Sequence, residues 1–219
     1  MTQAGDWLRS VRNCAVSSAD ARLPPRHARA YPLVMPSVSQ NDWTIAKLHA
    51  LPDDGNRYEI IDGALFVTPA PCLVHQGAIG ELYLQLAPYA KTVSMEAMIS
   101  PADIQYSPRT VVQPDLFVFR RVPGKPAKDW ADVQPLVLAV EVLSRSTRRR
   151  DRTIKRELYQ AQGVPEYWIV DTDARAVERW RPDSTEPEVV RDTLVWQPSS
   201  ERGPLQLVLP TFFSAILDG

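Results

Sequence analysis

The sequence predicts a mixed α/β domain of the α+β type: a central β-sheet flanked by helices, with additional β-hairpins. Three observations carry this. Two β-rich runs flank Asp62-Gly63, a strong hairpin turn signal. The run LVLAVEVL (136–143) is nearly all apolar, as a strand buried on both faces of a sheet must be. Two stretches, 74–87 and 148–162, carry apolar residues at helical spacing.

The elements follow in order. Residues 1–36, rich in Ala, Arg, Ser and Pro, show no sustained period and read as an extension of low order. A second reading makes Met35 the natural start; in either case the domain spans 37–219. Residues 42–50 suit a short helix with Asp42 as N-cap. The hairpin 57–71 follows. Ile79, Leu82, Tyr83 and Leu86 then fall at i, i+3, i+4 and i+7, predicting a helix over 74–87. Residues 92–99, 103–106 and 111–120 read as strands. In the last of these, Pro114 implies an edge position or a bulge. The buried strand 136–143 leads into the helix 148–162, with Ile154, Leu158 and Ala161 on one face and Gly163 at the C-terminal cap. Runs 166–171, 176–180, 189–196 and 205–209 are further strands, and 212–217 is a short closing helix.

Composition narrows the function. The chain has 219 residues, 25 Lys+Arg against 26 Asp+Glu, and a net charge of −1, so a nucleic-acid surface has to be a local patch. Its two cysteines, Cys14 and Cys72, form no CxxC or Cys/His cluster, which excludes zinc-ribbon and zinc-finger readings and fits a cytoplasmic location. No apolar run approaches the ~20 residues that span a bilayer, and the N-terminus lacks a signal-peptide core, so no membrane partner is expected.

Two acids stand out. Glu141 is the one charge in its buried strand, and an unpaired buried carboxylate costs several kcal/mol, so it needs a cation, a metal or a proton. Asp115 lies in another apolar run, VVQPDLFVF, behind Pro114. Two such acids set close together make a hard-oxygen site suited to Mg²⁺ or Mn²⁺. Directly after the Glu141 strand, RSTRRRDRTIKR (145–156) supplies Arg145, Arg148, Arg149, Arg150 and Arg152, which suit phosphate contacts. Lys155 lies one step from Ile154, at the edge of the expected buried face, so it could point back toward the strand end rather than out to water.

RYEIIDGALFVTPAP, HQGAIGEL, VVQPDLFVF, VLAVEVLSRSTRRRD and KRELYQAQGVPEYWIVD, taken together, resemble the Uma-type (Uma-two family) endonucleases of the PD-(D/E)XK restriction-endonuclease-like superfamily. The resemblance runs from about Trp43 to Leu217. It implies a restriction-endonuclease-like core with a divalent metal at the open end of a mixed sheet. It also implies hydrolysis of DNA phosphodiester bonds with Mg²⁺ or Mn²⁺. Pro114-Asp115 matches the PD element and Glu141 the acid of (D/E)XK, with the Val142 carbonyl helping to hold the ion. The chain departs from the superfamily at Leu143, where a lysine is usual; Lys155, on the following helix, matches the migrated lysine of this family. Asp115, Glu141 and Lys155 are thus the implied catalytic residues. Glu59, Asp62 and Asp103 match further recurrent acids, Glu59 and Asp103 as candidates to complete the metal shell. DNA is the implied partner, with a second copy of the chain where both strands are cut.

Plainer readings stay open at this stage. Glu141 could pair with Arg145, Asp115 could serve a bulge, Lys155 could pair with Asp151, and the arginines could be a solvated helix start. His75 suits capping or packing, Tyr167 and Trp168 the core. A catalytically degraded nuclease-like fold, binding DNA or a protein, is the alternative function. A small-molecule hydrolase lacks any supporting motif.

Overall fold

The computed structural model describes residues 42–133 and 135–218. The expected extension 1–36, with Cys14, lies outside the described residues.

Helix α1 (Ile45–Leu48) is capped by the side chain of Thr44, not Asp42, because the Thr44 hydroxyl faces the Lys47 N–H. Strands β1 (Arg57–Ile61) and β2 (Ala64–Thr68) form the expected hairpin, with Asp62 at φ 51° and Gly63 at φ 82°. Two consecutive positive φ values make the tight turn that Asp-Gly favours. Over Gly63 lies the Arg109 guanidinium, bonded to Asp42 and to the Asp62 carbonyl. Gly63→Ala should therefore cost about 1–2 kcal/mol through the left-handed backbone alone, and displace Arg109 besides. A denaturant midpoint unchanged from wild type would contradict this.

Helix α2 (Leu73–Thr92) continues past Pro88, beyond the expected end at 87. Proline removes one helical hydrogen bond, but Tyr89, Ala90 and Val93 beyond it are buried in the core, and that packing holds the last turn. Then come β3 (Met95–Ile99), β4 (Ile104–Ser107), β5 (Thr110–Val112) and β6 (Leu116–Arg120). The single strand expected over 111–120 is two strands in two different sheets. Pro114 cannot donate to a ladder, so the chain leaves one sheet at Gln113 and enters the other after Asp115. Ser100 ties this junction down, its hydroxyl donating to the Pro114 carbonyl at 2.6 Å and its N–H to the Asp115 carbonyl at 3.1 Å.

Strand β7 (Leu136–Val142) is buried at all seven positions, as its composition predicts. It is joined to the parallel strand β8 (Glu166–Asp171) by one helical crossover: α3 (Arg148–Arg150), a π-helical turn (Asp151–Lys155) and α4 (Arg156–Ala161), ended by Gly163 at φ 68°. The rest of the chain forms β9 (Ala176–Trp180), β10 (Glu188–Val190), β11 (Thr193–Trp196), β12 (Leu205–Val208) and α5 (Leu209–Leu217). The expected strand 189–196 is likewise split between β10 and β11, which pair in different sheets.

The main sheet has the order β10-β9-β8-β7-β6-β3, antiparallel except for β7–β8. One face packs against α2, α5 and the β11–β12 hairpin through Leu82, Leu86, Val140, Trp168 and Phe212. The other packs against the crossover helix and the four-stranded sheet β2-β1-β5-β4 through Ile61, Phe117, Ala139, Tyr159 and Ile169. This is a mixed α+β fold with helices on the sheet, as expected.

Candidate active site

Strand pleat places the two acids together. Leu116 pairs with Val140 and both face the α2 core, whereas Phe117 and Ala139 face the opposite one. One step on, Asp115 and Glu141 fall beside each other on the Ala139 side. The Val142 N–H, next along β7 from Glu141, donates to Asp115 Oδ2 at 2.8 Å.

The crossover helix closes the site, with a face different from the expected one. Ile154 is exposed at 38%, while Asp151, Lys155 and Tyr159 are buried. Their four-residue spacing, widened by the π-helical turn, turns a polar stripe inward. The reason is charge: the sheet presents buried carboxylates that a leucine-lined face would leave unpaired. Lys155 Nζ, only 1% exposed as a residue, sits 2.7 Å from Glu141 Oε1 and 2.7 Å from Glu59 Oε1. The Tyr159 hydroxyl reaches the same Glu141 oxygen at 3.3 Å. Lys155 thus serves the sheet acids, and Glu141 pairs with it rather than with Arg145.

Glu59 is locked from three sides, by Lys155, by the Gln113 N–H at 2.8 Å, and by Arg150 Nη2 at 3.2 Å. Asp115 is held by Arg57 at 2.7 Å on one oxygen and by His75 Nε2 at 3.1 Å on the other. Burial works against the charge of Asp115, but the His75 hydrogen bond and the charges of His75, Arg57 and Lys155 outweigh it and hold the carboxyl below the usual range. In Glu59, burial is likewise outweighed, by Lys155 and Arg150. Glu141 goes the other way: burial, with the charges of Asp115, Asp151 and Glu59 added, lifts it well above the usual range despite Lys155. Burial opposes the Lys155 charge, yet Glu141 and Glu59 raise its pKa above that of a free lysine.

The remaining expected residues are dispersed. Asp103 lies outside this cluster, accepting from Gln113 Nε2 at 2.7 Å with His49 at 3.9 Å. Asp62 serves the hairpin turn, near Thr110. Arg150 turns inward to Glu59 and Thr68, over the ring of Phe66. Arg152 bonds Asp171 and Glu178, and Arg148 bonds Asp173. Arg145 and Arg149 are exposed. Three site members, Arg57, Asp151 and His75, are not among the residues expected to act in the site. Arg57 and Glu59 are two apart on one strand and share a face, which was a usable signal. Asp151 was signalled by its four-residue spacing to Lys155. His75, at the start of α2, carried none.

The profile of the family described as "Uma2: Putative restriction endonuclease" matches residues 45–212. The chain belongs to this family. Among five matching chains of known structure is the crystal structure of a "putative nuclease belonging to DUF820" from Anabaena variabilis. It superposes with a TM-score of 0.66 at 22% identity, covering 80% of this chain and 99% of that one, and so shares the fold. No curated protein matches the chain. Among the described residues no helix is long and apolar enough to cross a membrane.

The donor set fits Mg²⁺ or Mn²⁺. Among the described residues no three Asp, Glu, His or Cys side chains already surround one point. Mg²⁺ does not need that: it binds through one or two carboxylates and keeps its waters. Asp115, Glu141 and the Val142 carbonyl are all hard oxygen donors. The acids Glu59, Asp115, Glu141 and Asp151 are buried together, and burial first, then the charges of the other three acids, lift the Glu141 carboxyl.

Proposed function

We propose that this chain is a metal-dependent DNA endonuclease, an endodeoxyribonuclease using Mg²⁺ or Mn²⁺. One observation carries the reading: a fully buried lysine holds two strand-borne glutamates beside a third buried acid at the junction of two sheets. Family membership supports it.

Asp115, Glu141 and the Val142 carbonyl would hold the ion. When bound, it would supply the Lewis acid that activates water and offsets phosphate charge. Arg57, His75 and the Val142 N–H fix the Asp115 carboxylate in one rotamer, ionised. Lys155 stays cationic at neutral pH because its pKa is raised, so it acts as a fixed donor and not as a base. An ammonium has three N–H donors. Glu59 and Glu141 take two, leaving one for an oxygen of the pentacoordinate phosphate. Glu59 positions Lys155 and orders Gln113. Asp103, which accepts from Gln113 and not from a cation of the cluster, is not required in this scheme.

Supercoiled plasmid with Mg²⁺ or Mn²⁺ tests this. Cleavage should require the ion and fall by at least about 10²-fold in Asp115→Asn. Full activity in that variant, or none in wild type, would overturn the assignment.

Arg145 and Arg149 remain to meet the phosphate backbone. Each change to alanine should weaken DNA binding evenly across sequences and reduce the salt slope by about 1. A binding isotherm at several salt concentrations reads this directly; an unchanged slope would remove them from the interface.

A further inference from the structure

A cleft of about 480 Å³ opens beside the acid cluster, between the α1–β1 loop, the β2–α2 loop and the β3–β4 connection. It shares a wall with the site. Arg57 and Gln113 line it, and Arg57 Nη1 bridges the Gln113 carbonyl at 3.1 Å and Asp115 Oδ1 at 2.7 Å. Arg57 therefore links the cleft wall to the Asp115 carboxylate.

Its lining is wrong for a phosphate track. Among the described residues lining it, Arg57 is the one Lys or Arg, already spent on Asp115, and Asp53 and Asp103 face it. The lining suits a flat, uncharged group with hydrogen-bonding edges. Pro69, Pro71 and Tyr58 offer apolar faces, and Gln76 an amide. Gln113 Oε1 is buried without a hydrogen-bond partner, while its Nε2 is fixed on Asp103. That leaves an unpartnered acceptor on a residue of the cleft wall. The volume falls within the range of small-ligand clefts and excludes a duplex.

We propose that the cleft receives one unstacked nucleobase, that of the nucleotide adjoining the scissile phosphate, so the preferred substrate is DNA with an unpaired nucleotide at the cut. This rests on the nuclease reading of the neighbouring acids. A base reaches such a cleft only out of the helix stack, which is cheapest where it has no partner. The exposed Arg145 and Arg149, on the loop and helix after β7, then serve the backbone, a division of labour between charge and stacking usual for unpaired strands.

The test is binding, measured by fluorescence anisotropy without metal, using Glu141→Gln protein to prevent turnover. The probes are a labelled duplex and the same duplex with one unpaired nucleotide. The expected result is about tenfold tighter binding to the second, at the lower end of what stacking one base contributes. Ala70→Trp, at the exposed cleft rim, should abolish that preference and leave duplex affinity unchanged; Gln76→Ala should reduce it. Equal binding of both probes, or a preference that survives both substitutions, would overturn the proposal. Cleavage without the preference sinks this inference alone, whereas the preference without cleavage sinks the nuclease reading alone.

Discussion

Lys155→Met lowers the melting temperature by roughly 10 °C and cleavage by at least about 10²-fold. The stability figure comes from leaving buried carboxylates without their cation, which costs about 3–5 kcal/mol, at about 2–4 °C per kcal/mol for a domain of this size. Methionine nearly matches the volume of the lysine stem, so lost packing contributes little. The pH dependence has a definite sign. The folded pKa of Lys155 is raised, so its stabilisation is complete below the unfolded value near 10.5 and fades only as pH climbs through the folded one. The deficit of the variant is therefore fully developed at neutral pH. Glu59 behaves oppositely. Its folded pKa is lowered, so its stabilisation exists above about 4.5 and disappears as pH falls through the folded value. Removing Lys155 takes that stabilisation away, so acid should close part of the gap between variant and wild type. Adding Glu59→Gln to Lys155→Met should recover part of the loss, since the pair is in contact and cannot be additive. Thermal melts of the two single variants and the double variant decide the matter; strict additivity would mean that Lys155 and Glu59 do not depend on each other.

The inward lysine also shows where the sequence was readable and where it was not. Strand β7 was plain, because seven apolar-dominated positions leave few alternatives to burial. The hairpin was plain because Asp62-Gly63 names its own turn type. Asp115 and Glu141 stood out as charges where the pattern required none. The crossover helix was misread by about one residue step. Its apolar set, Ile154, Leu158 and Ala161, obeys the 3.6 period, but the π-helical turn and the need to neutralise Glu59 and Glu141 rotate Asp151, Lys155 and Tyr159 inward instead. A partner's charge on another strand overrode local periodicity, and one-dimensional patterns do not carry that information. The splitting of 111–120 had a visible cause, Pro114, yet its consequence depended on a second sheet being there to receive β6. His75 is the extreme case. It joins Asp115 only because α2 lies across the sheet end, a tertiary fact without a local trace.

Glu141→Gln separates stability from function in the opposite direction to Lys155→Met. Burial first, then the charges of Asp115, Asp151 and Glu59, lift the folded pKa of Glu141 well above 4.5, despite Lys155. A raised carboxyl binds its proton more tightly in the folded than in the unfolded chain. Stability must then fall as pH rises from about 4.5 toward the folded value. Glutamine carries no such charge, keeps an acceptor for Tyr159, and leaves Lys155 paired with Glu59. In metal-free buffer the variant should melt at or above the wild-type temperature at pH 8, with a flatter pH profile between 5 and 8. Metal-dependent cleavage should nevertheless fall by about 10³-fold, and calorimetric titration with Mg²⁺ or Mn²⁺ should lose its binding step. Sites arranged for chemistry commonly retain such a locally costly charge. The cost here is a carboxylate buried among three other acids, which a divalent cation would relieve. Should the variant melt well below wild type at pH 8 and still bind the ion, Glu141 would be a structural partner of Lys155 and the ion would have to be held by other groups.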